Sequence, residues 1–320
     1  MTRTAIVIAA ALALAATLPI APAQAAGAAR TFVSAAGSDS NNCINVLTPC
    51  RHLATAYAAT APNGEIYVLD PANYGSLTIT GPVSIEGHGW ASIAPVSGSA
   101  AITVNANTGD KINIIGVVLD GTALTNTIGI LIESCGCSLT VRDSVIRNFT
   151  DAGIDFGPNS SSPSQLFLSN TVVSDNGGYG IEIEPTGSGT TTGVLDHVEL
   201  EHNATDGLAV VISSTQTINM TVSDSVSANN GNNGITADSF GGTPVSIMVR
   251  NSTIANNGSY GLLANSTTPG ATIRVTRSTI TGNGIAWSAA SSGVVSSYAD
   301  NNIDGNNSGD LPPPPTIGYK

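Results

Sequence analysis

Charged residues are scarce in this 320-residue chain, at 10%, and aromatic residues are scarcer, at 4%. An ordinary soluble domain carries roughly 25% charged residues, so the composition argues against a helical protein laced with surface charge. Basic residues are the rarest charged class, because 10 Lys and Arg stand against 22 Asp and Glu, for a formal charge of −12. Nucleic acid and anionic membranes both require clustered Lys and Arg, so neither is expected as a partner. The hydrophobic content of 41% nevertheless predicts a folded chain.

Long hydrophobic runs are missing after the N terminus, where no stretch approaches about 18 residues, so no membrane span is expected. The one early apolar run extends from Ala5 to Leu18, after Arg3 and before the small-x-small sequence Ala23-Gln24-Ala25. This order of features predicts a signal peptide over residues 1–25, removed after Ala25. The protein is therefore expected to be secreted or periplasmic.

The chain has only four cysteines, in two close pairs, and an exported protein can form disulfides. Cys43 and Cys50 are predicted to be bridged, because Pro49 and the turn residues just before Cys43 favour a short bend. Cys135 and Cys137 flank a single glycine, and in one strand they would lie roughly 6.6 Å apart, near the upper limit for a bridge. Their pairing stays open, and two thiols alone fall short of a zinc site.

A 27-residue repeat organises the middle of the chain. Its five clearest copies begin at Val141, Leu168, Leu195, Val222 and Val249. Each copy contains short apolar alternations, such as Ile181 with Ile183, which are typical of strands with one buried face, and no helical period. Weaker copies extend the series to about nine turns, so the sequence predicts an all-β fold, a parallel β-solenoid.

Two residue types recur at fixed positions of the repeat. Glycine occupies one position, at Gly153, Gly180, Gly207, Gly234 and Gly261, and asparagine another, at Asn176, Asn203, Asn230 and Asn257. Glycine suits a bend that needs positive φ or a place with no room for a Cβ atom. Asparagine tolerates the left-handed conformation and can stack into a hydrogen-bonded ladder. Each turn is therefore expected to bend at these positions.

The open ends of a solenoid expose unpaired strand edges and need caps. Residues 48–60 are the convincing helix candidate, with Pro49 near the start, and are expected to cover the N-terminal end within a cap region of residues 26–80. The repeats are assigned to residues 81–306. Residues 307–320 form a polar, Pro-rich tail that is not expected to continue the sheet.

The repeated pattern Val-x-x-Ser-x-Ile-x-x-Asn-x-x-x-Gly-Ile resembles the right-handed parallel β-helix repeat of the pectate-lyase-like superfamily, over about residues 81–306. Residues 31–43, 48–54 and 64–70 look like the opening of exported bacterial β-helix proteins, most of which have no assigned activity. The resemblance implies a right-handed β-helix and an association with carbohydrate. It does not imply one reaction, because the superfamily includes lyases, hydrolases, epimerases, adhesins and phage tailspikes.

Acidic residues crowd the middle turns, where no Lys or Arg occurs between Arg147 and Arg250. Asp155 and Glu182 are 27 residues apart in the sequence, so they are expected to stack on neighbouring turns. Stacked like charges destabilise a sheet unless a cation or a proton intervenes, so the pair is a candidate calcium site. A solvated acidic surface that keeps the protein soluble would give the same pattern.

The densest cluster of titratable groups is Asp196-His-Val-Glu-Leu-Glu-His202. Glu199 and Glu201 alternate with apolar residues and are expected to point outward about 6.6 to 6.8 Å apart, within the loose range for the carboxylates of an inverting glycosidase. His202 is a candidate base, with Asp196 just upstream. Any exposed strand would show the same alternation, so the cluster does not by itself establish catalysis.

Two further columns are candidates for substrate binding. Arg142 and Arg250 are four turns, about 19 Å, apart, and could clamp the ends of an extended chain. Tyr179 and Tyr260 are three turns apart with Asp206 between them, and sugar rings stack on such aromatic side chains. Surface solubility and ordinary turn positions would explain these columns as well.

The sequence lacks three signatures of better-known members of the superfamily: the Asp-Pro-His-Asp of alginate epimerases, the paired aspartates with Gly-His-Gly of polygalacturonases, and the Gly-Gly-x-Gly-x-Asp calcium repeat. We therefore expect an exported, monomeric protein that associates with a polysaccharide or cell-surface glycan and requires no cofactor. If it is an enzyme, the expected class is a polysaccharide lyase or a glycoside hydrolase. The alternative is a structural or adhesive surface protein in which the solenoid is a stiff spacer.

Overall fold

The computed structural model describes residues 27–320 except 97, 122–124, 126, 242, 269, 309, 311–313, 319 and 320. The predicted signal peptide, residues 1–25, lies outside the described residues. The described chain contains one helix, α1 (Leu53–Ala59), and 26 strands. In chain order the strands are β1 (Ala28–Val33), β2 (Thr60–Val68), β3 (Ala72–Asn73), β4 (Leu77–Ile79), β5 (Val83–Ile93), β6 (Ala100–Val104), β7 (Lys111–Asp120), β8 (Ile128–Ile132), β9 (Ser138–Arg142), β10 (Val145–Arg147), β11 (Ile154–Phe156), β12 (Ser164–Ser174), β13 (Ile181–Ile183), β14 (Thr190–Glu201), β15 (Leu208–Ile212), β16 (Thr217–Ser223), β17 (Val226–Ala228), β18 (Ile235–Ser239), β19 (Val245–Arg250), β20 (Thr253–Ala255), β21 (Tyr260–Ser266), β22 (Ala271–Thr276), β23 (Thr279–Thr281), β24 (Ile285–Ser291), β25 (Val294–Ser297) and β26 (Asn302–Ile303).

The strands form two parallel sheets around one apolar core. One sheet has 17 strands, and the other has nine: β4, β6, β8, β11, β13, β15, β18, β21 and β24. Neighbouring strands of the nine-stranded sheet are one turn apart along the chain. The path from the first of these strands to the ninth therefore makes eight full turns. The predicted all-β solenoid is therefore confirmed, with about eight turns where the repeat count gave about nine.

Strand pairing keeps the 27-residue register of the repeat. Leu168 pairs with Leu195, Leu195 with Val222, and Val222 with Val249. All four side chains point inward and are at most 2% exposed. Equivalent apolar residues thus stack into internal columns, and their burial stabilises each turn on its neighbour.

Each turn bends at two residues in the left-handed conformation. One column of such residues is Asp143, Asn170, His197, Asp224 and Asn251, and the other is Asn148, Asp175, His202, Asn229 and Asn256. The recurrent glycines do not adopt this conformation. Glycine is therefore needed there for the other predicted reason, which is that a Cβ atom has no room. A Cβ atom at Gly180 would lie 2.5 Å from the carbonyl oxygen of Gly207 on the next turn.

The predicted asparagine ladder is present and buried, one residue after the second column of left-handed corners. Nδ2 of Asn176 donates to Oδ1 of Asn203 at 2.8 Å, Asn203 donates to Asn230 at 3.0 Å, and Asn230 donates to Asn257 at 2.9 Å. Oδ1 of Asn230 also accepts the backbone N–H of Asn203 at 3.1 Å. The amides thereby satisfy backbone groups that the bend removes from the sheet.

The N-terminal cap differs from the prediction of a helix over residues 48–60. The helix begins only at Leu53, because Cys50 is extended and pairs with the free edge of β1. Its N–H donates to the carbonyl oxygen of Phe32 at 2.9 Å, and its own carbonyl accepts from Ser34 at 3.0 Å. A disulfide joins Cys50 to Cys43, so a bridged loop covers the edge strand.

The C-terminal tail makes one contact with a strand edge that the expectation for residues 307–320 did not include. Thr316 pairs with Ser297 at the end of β25. The carbonyl of Pro315 accepts from Ser297 at 3.0 Å, and the N–H of Ile317 donates to Ser297 at 2.9 Å. Proline lacks a donor but keeps an acceptor, which is the group used here.

A second disulfide joins Cys135 and Cys137, with Cα atoms 5.0 Å apart. This distance is shorter than the roughly 6.6 Å expected in a strand because the segment between β8 and β9 bends.

Candidate functional site

Alternate residues of the 17-stranded sheet point away from the core and form columns along the rod. In β14, Thr192, Val194 and Asp196 point outward, whereas Leu195 is fully buried. Three columns run through these outward residues: the polar column (Ser138, Gln165, Thr192, Asn219, Ser246), the central column (Thr140, Phe167, Val194, Thr221, Met248) and the arginine column (Arg142, Ser169, Asp196, Ser223, Arg250). Together they make one continuous surface, which we call the groove face.

A groove of about 530 Å³ lies over the polar and central columns. Phe167 is 36% exposed and Val194 is 38% exposed, so apolar side chains stand in a row beside hydroxyl and amide groups. A second groove of about 800 Å³ begins at Met248 and reaches Arg274 and Tyr298. The two grooves form a path along the rod that suits a long ligand with apolar faces and polar edges.

The arginine column places Arg142 and Arg250 on the groove face, each two turns from Asp196. Asp196 accepts hydrogen bonds from Ser223 Oγ at 2.6 Å and from His197 Nδ1 at 3.0 Å. These two bonds, and the charge of Arg250, hold the pKa of Asp196 below its ordinary value. The column therefore presents a fixed negative charge between two positive ones.

Ser223, Asp196 and His197 do not have the geometry of a serine nucleophile. The carboxylate lies between the other two groups, because the serine hydroxyl donates to Oδ1 and the imidazole contacts Oδ2. A nucleophilic serine requires its hydroxyl to contact the base directly.

The predicted catalytic cluster is divided by the two corners at His197 and His202, each with φ of 54°. Asp196 lies before the first corner, on the groove face, and Glu199 and Glu201 lie after it. Glu199 stacks between Val172 and Val226, and Glu201 stacks between Ser174 and Ala228. The structure thus surrounds the two glutamates with uncharged neighbours along their columns, and it places His202 at the second corner.

Asp155 and Glu182 face one another on neighbouring turns of the nine-stranded sheet. Burial raises the pKa of Asp155 to about 6, with the carboxylates of Asp151 and Glu184 adding to the effect. Burial, and then the charge of Asp155, raises the pKa of Glu182 to about 7. The pair is therefore ready to hold a proton near neutral pH, as general acids do.

The donor set for a metal ion at this pair is small. Among the residues with described positions, no group of three or more His, Cys, Asp or Glu side chains is arranged to hold a metal ion. Ca²⁺ takes six to eight oxygen ligands, so a calcium ion bound by Asp155 and Glu182 would need most of them from the backbone, water or a ligand.

Tyr179 and Tyr260 share one column, with Asp206 and Asn233 between them, and both are half-buried. Asp206 is only 4% exposed, contrary to its expected place on a binding surface. Its carboxylate accepts from Thr236 Oγ1 at 2.6 Å and from the backbone N–H of Asn233 at 3.0 Å. Asp206 thus holds the turn together, and the tyrosines flank a closed polar network.

The family of this chain follows from a direct comparison. A family model described as a right handed beta helix region matches residues 128–308. The chain belongs to this right-handed β-helix family. The predicted handedness and the resemblance to the pectate-lyase-like superfamily are thereby confirmed.

Solved structures share the architecture of this β-helix. The crystal structure of pectate lyase Pel9A matches it with a TM-score of 0.53 and 14% identity, over 87% of this chain and 78% of that chain. The A-module of the mannuronan C-5 epimerase AlgE4 of Azotobacter vinelandii aligns with 81% of this chain and 90% of that chain, at 16% identity and a TM-score of 0.46. No curated protein matches the β-helix. At 14% identity the likeness to the pectate lyase shows the fold alone.

The groove face of the β-helix was missed by sequence reasoning that concentrated on titratable residues. Its signal is present in the repeat, because Phe167, Val194 and Met248 are apolar at positions that alternate with buried residues. Three of the five outward residues in this column are apolar, so the sequence contained the signal for an exposed apolar strip on this face. In the described part of the chain no helix is long and apolar enough to cross a membrane.

Proposed function

We propose that the chain is an exported protein that binds a polysaccharide along its groove face. The observation that carries the proposal is the groove itself, in which Phe167 and Val194 are exposed beside the polar column. A sugar ring has an apolar face that packs on such side chains and a rim of hydroxyls that bonds to amides and hydroxyls. The fold shared with a pectate lyase supports a carbohydrate ligand.

The arginine column favours an acidic polysaccharide. Arg142 and Arg250 flank the groove four turns apart, about 19 Å along the rod. Guanidinium groups bind carboxylates with two parallel hydrogen bonds, so this spacing suits two separated uronate residues of one extended chain. Asp196 midway between them would exclude a carboxylate from the centre and admit a hydroxyl.

Cleavage of a glycan by a lyase or hydrolase mechanism is the second candidate function. The observation that favours it is the Asp155–Glu182 pair, whose raised pKa values suit proton transfer near neutral pH. This pair lies on the nine-stranded sheet, whereas the groove lies on the 17-stranded sheet. A glycan held in the groove would not contact the pair, so binding is the better supported function.

The test measures binding and product in the same samples. The purified protein is incubated with pectate, alginate and a neutral glucan, with and without Ca²⁺. Binding is measured by affinity electrophoresis, and products are measured by mass spectrometry. We expect retardation by the two acidic polymers and no new chain ends. Unsaturated ends would establish a lyase, and new saturated reducing ends would establish a hydrolase. Absence of both binding and product would favour the structural or adhesive alternative.

If product does appear, two substitutions separate the candidate carboxylates. Glu182→Gln removes the partner of Asp155, and Glu201→Gln removes a carboxylate of the Asp196–His202 segment. Loss of product only in the first variant would assign the chemistry to the nine-stranded sheet. Loss only in the second would support the catalytic role predicted for Glu201.

A further inference from the structure

An aromatic cluster stands on the outer surface at the N-terminal end of the 17-stranded sheet. The ring of Trp90 lies 5.4 Å from the ring of His88, which lies 4.3 Å from the ring of Tyr67. Phe32 continues the series at 6.2 Å from Tyr67. Phe, Tyr and Trp form only 4% of the chain, so three of them grouped around a histidine ring on one surface need an explanation.

The cluster exists because the corner of β5 is enlarged. Glu86 pairs with Ile115 and Ala91 pairs with Val117, so four residues of β5 stand opposite one residue of β7. The extra residues carry His88 and Trp90 outward at a position where other turns have a single left-handed residue. A bulge of this kind re-aims side chains, and it is common beside functional sites.

The backbone of the bulge is closely packed, and the ring of His88 contacts the indole. His88 and Gly89 have φ of 56° and 80°. The bulge packs so closely on Gly116 of the next turn that a Cβ atom there would lie 2.8 Å from the backbone nitrogens of both residues. A side chain held in its binding orientation loses little entropy when a ligand arrives.

Trp90 is exposed to solvent over a large part of its side chain. It is 45% exposed, and the ring of His88 contacts the indole at a tilt of 41°. The ring of Tyr67 already has a partner, because the guanidinium of Arg30 lies 5.5 Å from its centre and forms an ion pair with Glu65. An exposed indole offers far less area than the roughly 1,000 Å² that a protein partner needs, and its ring matches one sugar ring in size.

The cluster is continuous with the groove face. Glu86 is in line with Arg142, two turns away in the same column through Ile115. We propose that Trp90, supported by His88 and Tyr67, stacks against a pyranose ring of the polysaccharide and extends the binding path of the groove toward the N-terminal end. The C–H bonds of a sugar ring carry partial positive charge and face the negative π-surface of the indole. Glu86 and His88 supply acceptors and donors for the hydroxyl rim.

This inference rests on the proposed function, and the chain offers a clean spectroscopic test. It contains two tryptophans, Trp90 and the partly buried Trp287, whose Nε1 has no hydrogen-bond partner among the described atoms. Trp287→Phe therefore leaves Trp90 as the reporter. The variant is titrated with hexamers of galacturonic acid and of mannuronic acid, and iodide quenching of the fluorescence is followed. We expect the bound hexamer to protect Trp90 from iodide.

Affinity measurements complete the test. Trp90→Ala is expected to weaken hexamer binding about tenfold, and Trp90→Phe is expected to weaken it less. Phe240→Ala is the control, because Phe240 is 53% exposed beside the nine-stranded sheet, and it should leave binding unchanged. Circular dichroism and thermal melting show whether each variant is folded. If the parent protein binds but Trp90→Ala binds equally well, or if Trp90 stays open to iodide in the complex, the stacking role is refuted and the groove proposal survives. If the parent protein binds neither hexamer nor polymer, both proposals fall.

Discussion

The groove face and the outer face of the nine-stranded sheet share one 27-residue register but differ in chemistry. On the groove face, uncharged residues separate Arg142, Asp196 and Arg250, so each charge stacks against neutral neighbours. On the nine-stranded sheet, Asp155 stacks directly on Glu182 and both carboxyl groups have raised pKa values. The backbone fixes where a side chain lies in both places. On the same backbone register, the outward residues alone therefore decide whether a column carries isolated charges or a stacked pair of carboxyl groups.

The two faces depend on the same interior, so the largest effect is expected from a change inside. Nδ2 of Asn230 donates to Asn257 at 2.9 Å and to the carbonyl of Leu200 at 3.0 Å, and its Oδ1 accepts from Asn203. Asn230→Ala would leave several buried groups without partners. We expect the free energy of unfolding to fall by about 3 to 5 kcal/mol, measured by urea denaturation, with both faces affected together.

Asn219→Ala is the matched control for this change. Asn219 is an exposed amide of the polar column, so its removal should change the free energy of unfolding by less than about 0.5 kcal/mol. Equal destabilisation by the two substitutions would mean that the ladder contributes no more than a surface amide.

A second prediction concerns binding on the groove face alone. Arg142→Ala and Arg250→Ala are each expected to weaken binding of a galacturonic acid hexamer about tenfold, which is about 1.4 kcal/mol, with little change in stability. Arg147→Ala is the control, because Arg147 lies on β10 beyond the corner and pairs with Asp120 at 3.1 Å. If isothermal titration showed the same loss for Arg147→Ala, overall charge and not the arginine column would explain the binding.

Periodicity made the fold and the pairing of columns predictable. Residues 27 apart in the sequence, such as Asp155 and Glu182, are neighbours in the structure because every turn has the same length there. Effects that depend on departures from the repeat were not predictable in this way. The bulge that presents Trp90 arises from extra residues in one turn, and the corner at His197 separates Asp196 from Glu199 although the sequence joins them. The burial of Asp206 depends on partners from the following turn.

A third prediction concerns the pH dependence of stability on the acidic face. Because the folded protein raises the pKa of Asp155 to about 6 and that of Glu182 to about 7, it holds protons that the unfolded chain releases from about pH 4 upward. The free energy of unfolding should therefore fall as the pH rises from about 4 to 7, by an amount on the order of 2 kcal/mol, since both groups are partly exposed. Glu182→Gln should flatten this dependence and melt above the parent protein at pH 8.

Glu199→Gln removes the same charge from the 17-stranded sheet, where Val172 and Val226 are the neighbours along the column. Melting curves from pH 4 to 8 for this variant should keep the slope of the parent protein. A slope that is equally flat in both variants would show that net charge, and not the stacked pair, sets the dependence.

The smallest effect expected is that of calcium. A cation between Asp155 and Glu182 would neutralise the two charges that remain once the pair has lost its protons. Ca²⁺ should therefore raise the melting temperature at pH 8 and have little effect at pH 5, where the pair is protonated. Two carboxylates supply few of the ligands that Ca²⁺ needs, so millimolar affinity is expected, and 10 mM Ca²⁺ would add about 1 kcal/mol to the free energy of unfolding. Scanning calorimetry of the parent protein and of Glu182→Gln measures this effect. A rise that persists in Glu182→Gln would mean that the ion binds elsewhere. No rise at pH 8 would mean that the pair binds no calcium and is neutralised only by protons at lower pH.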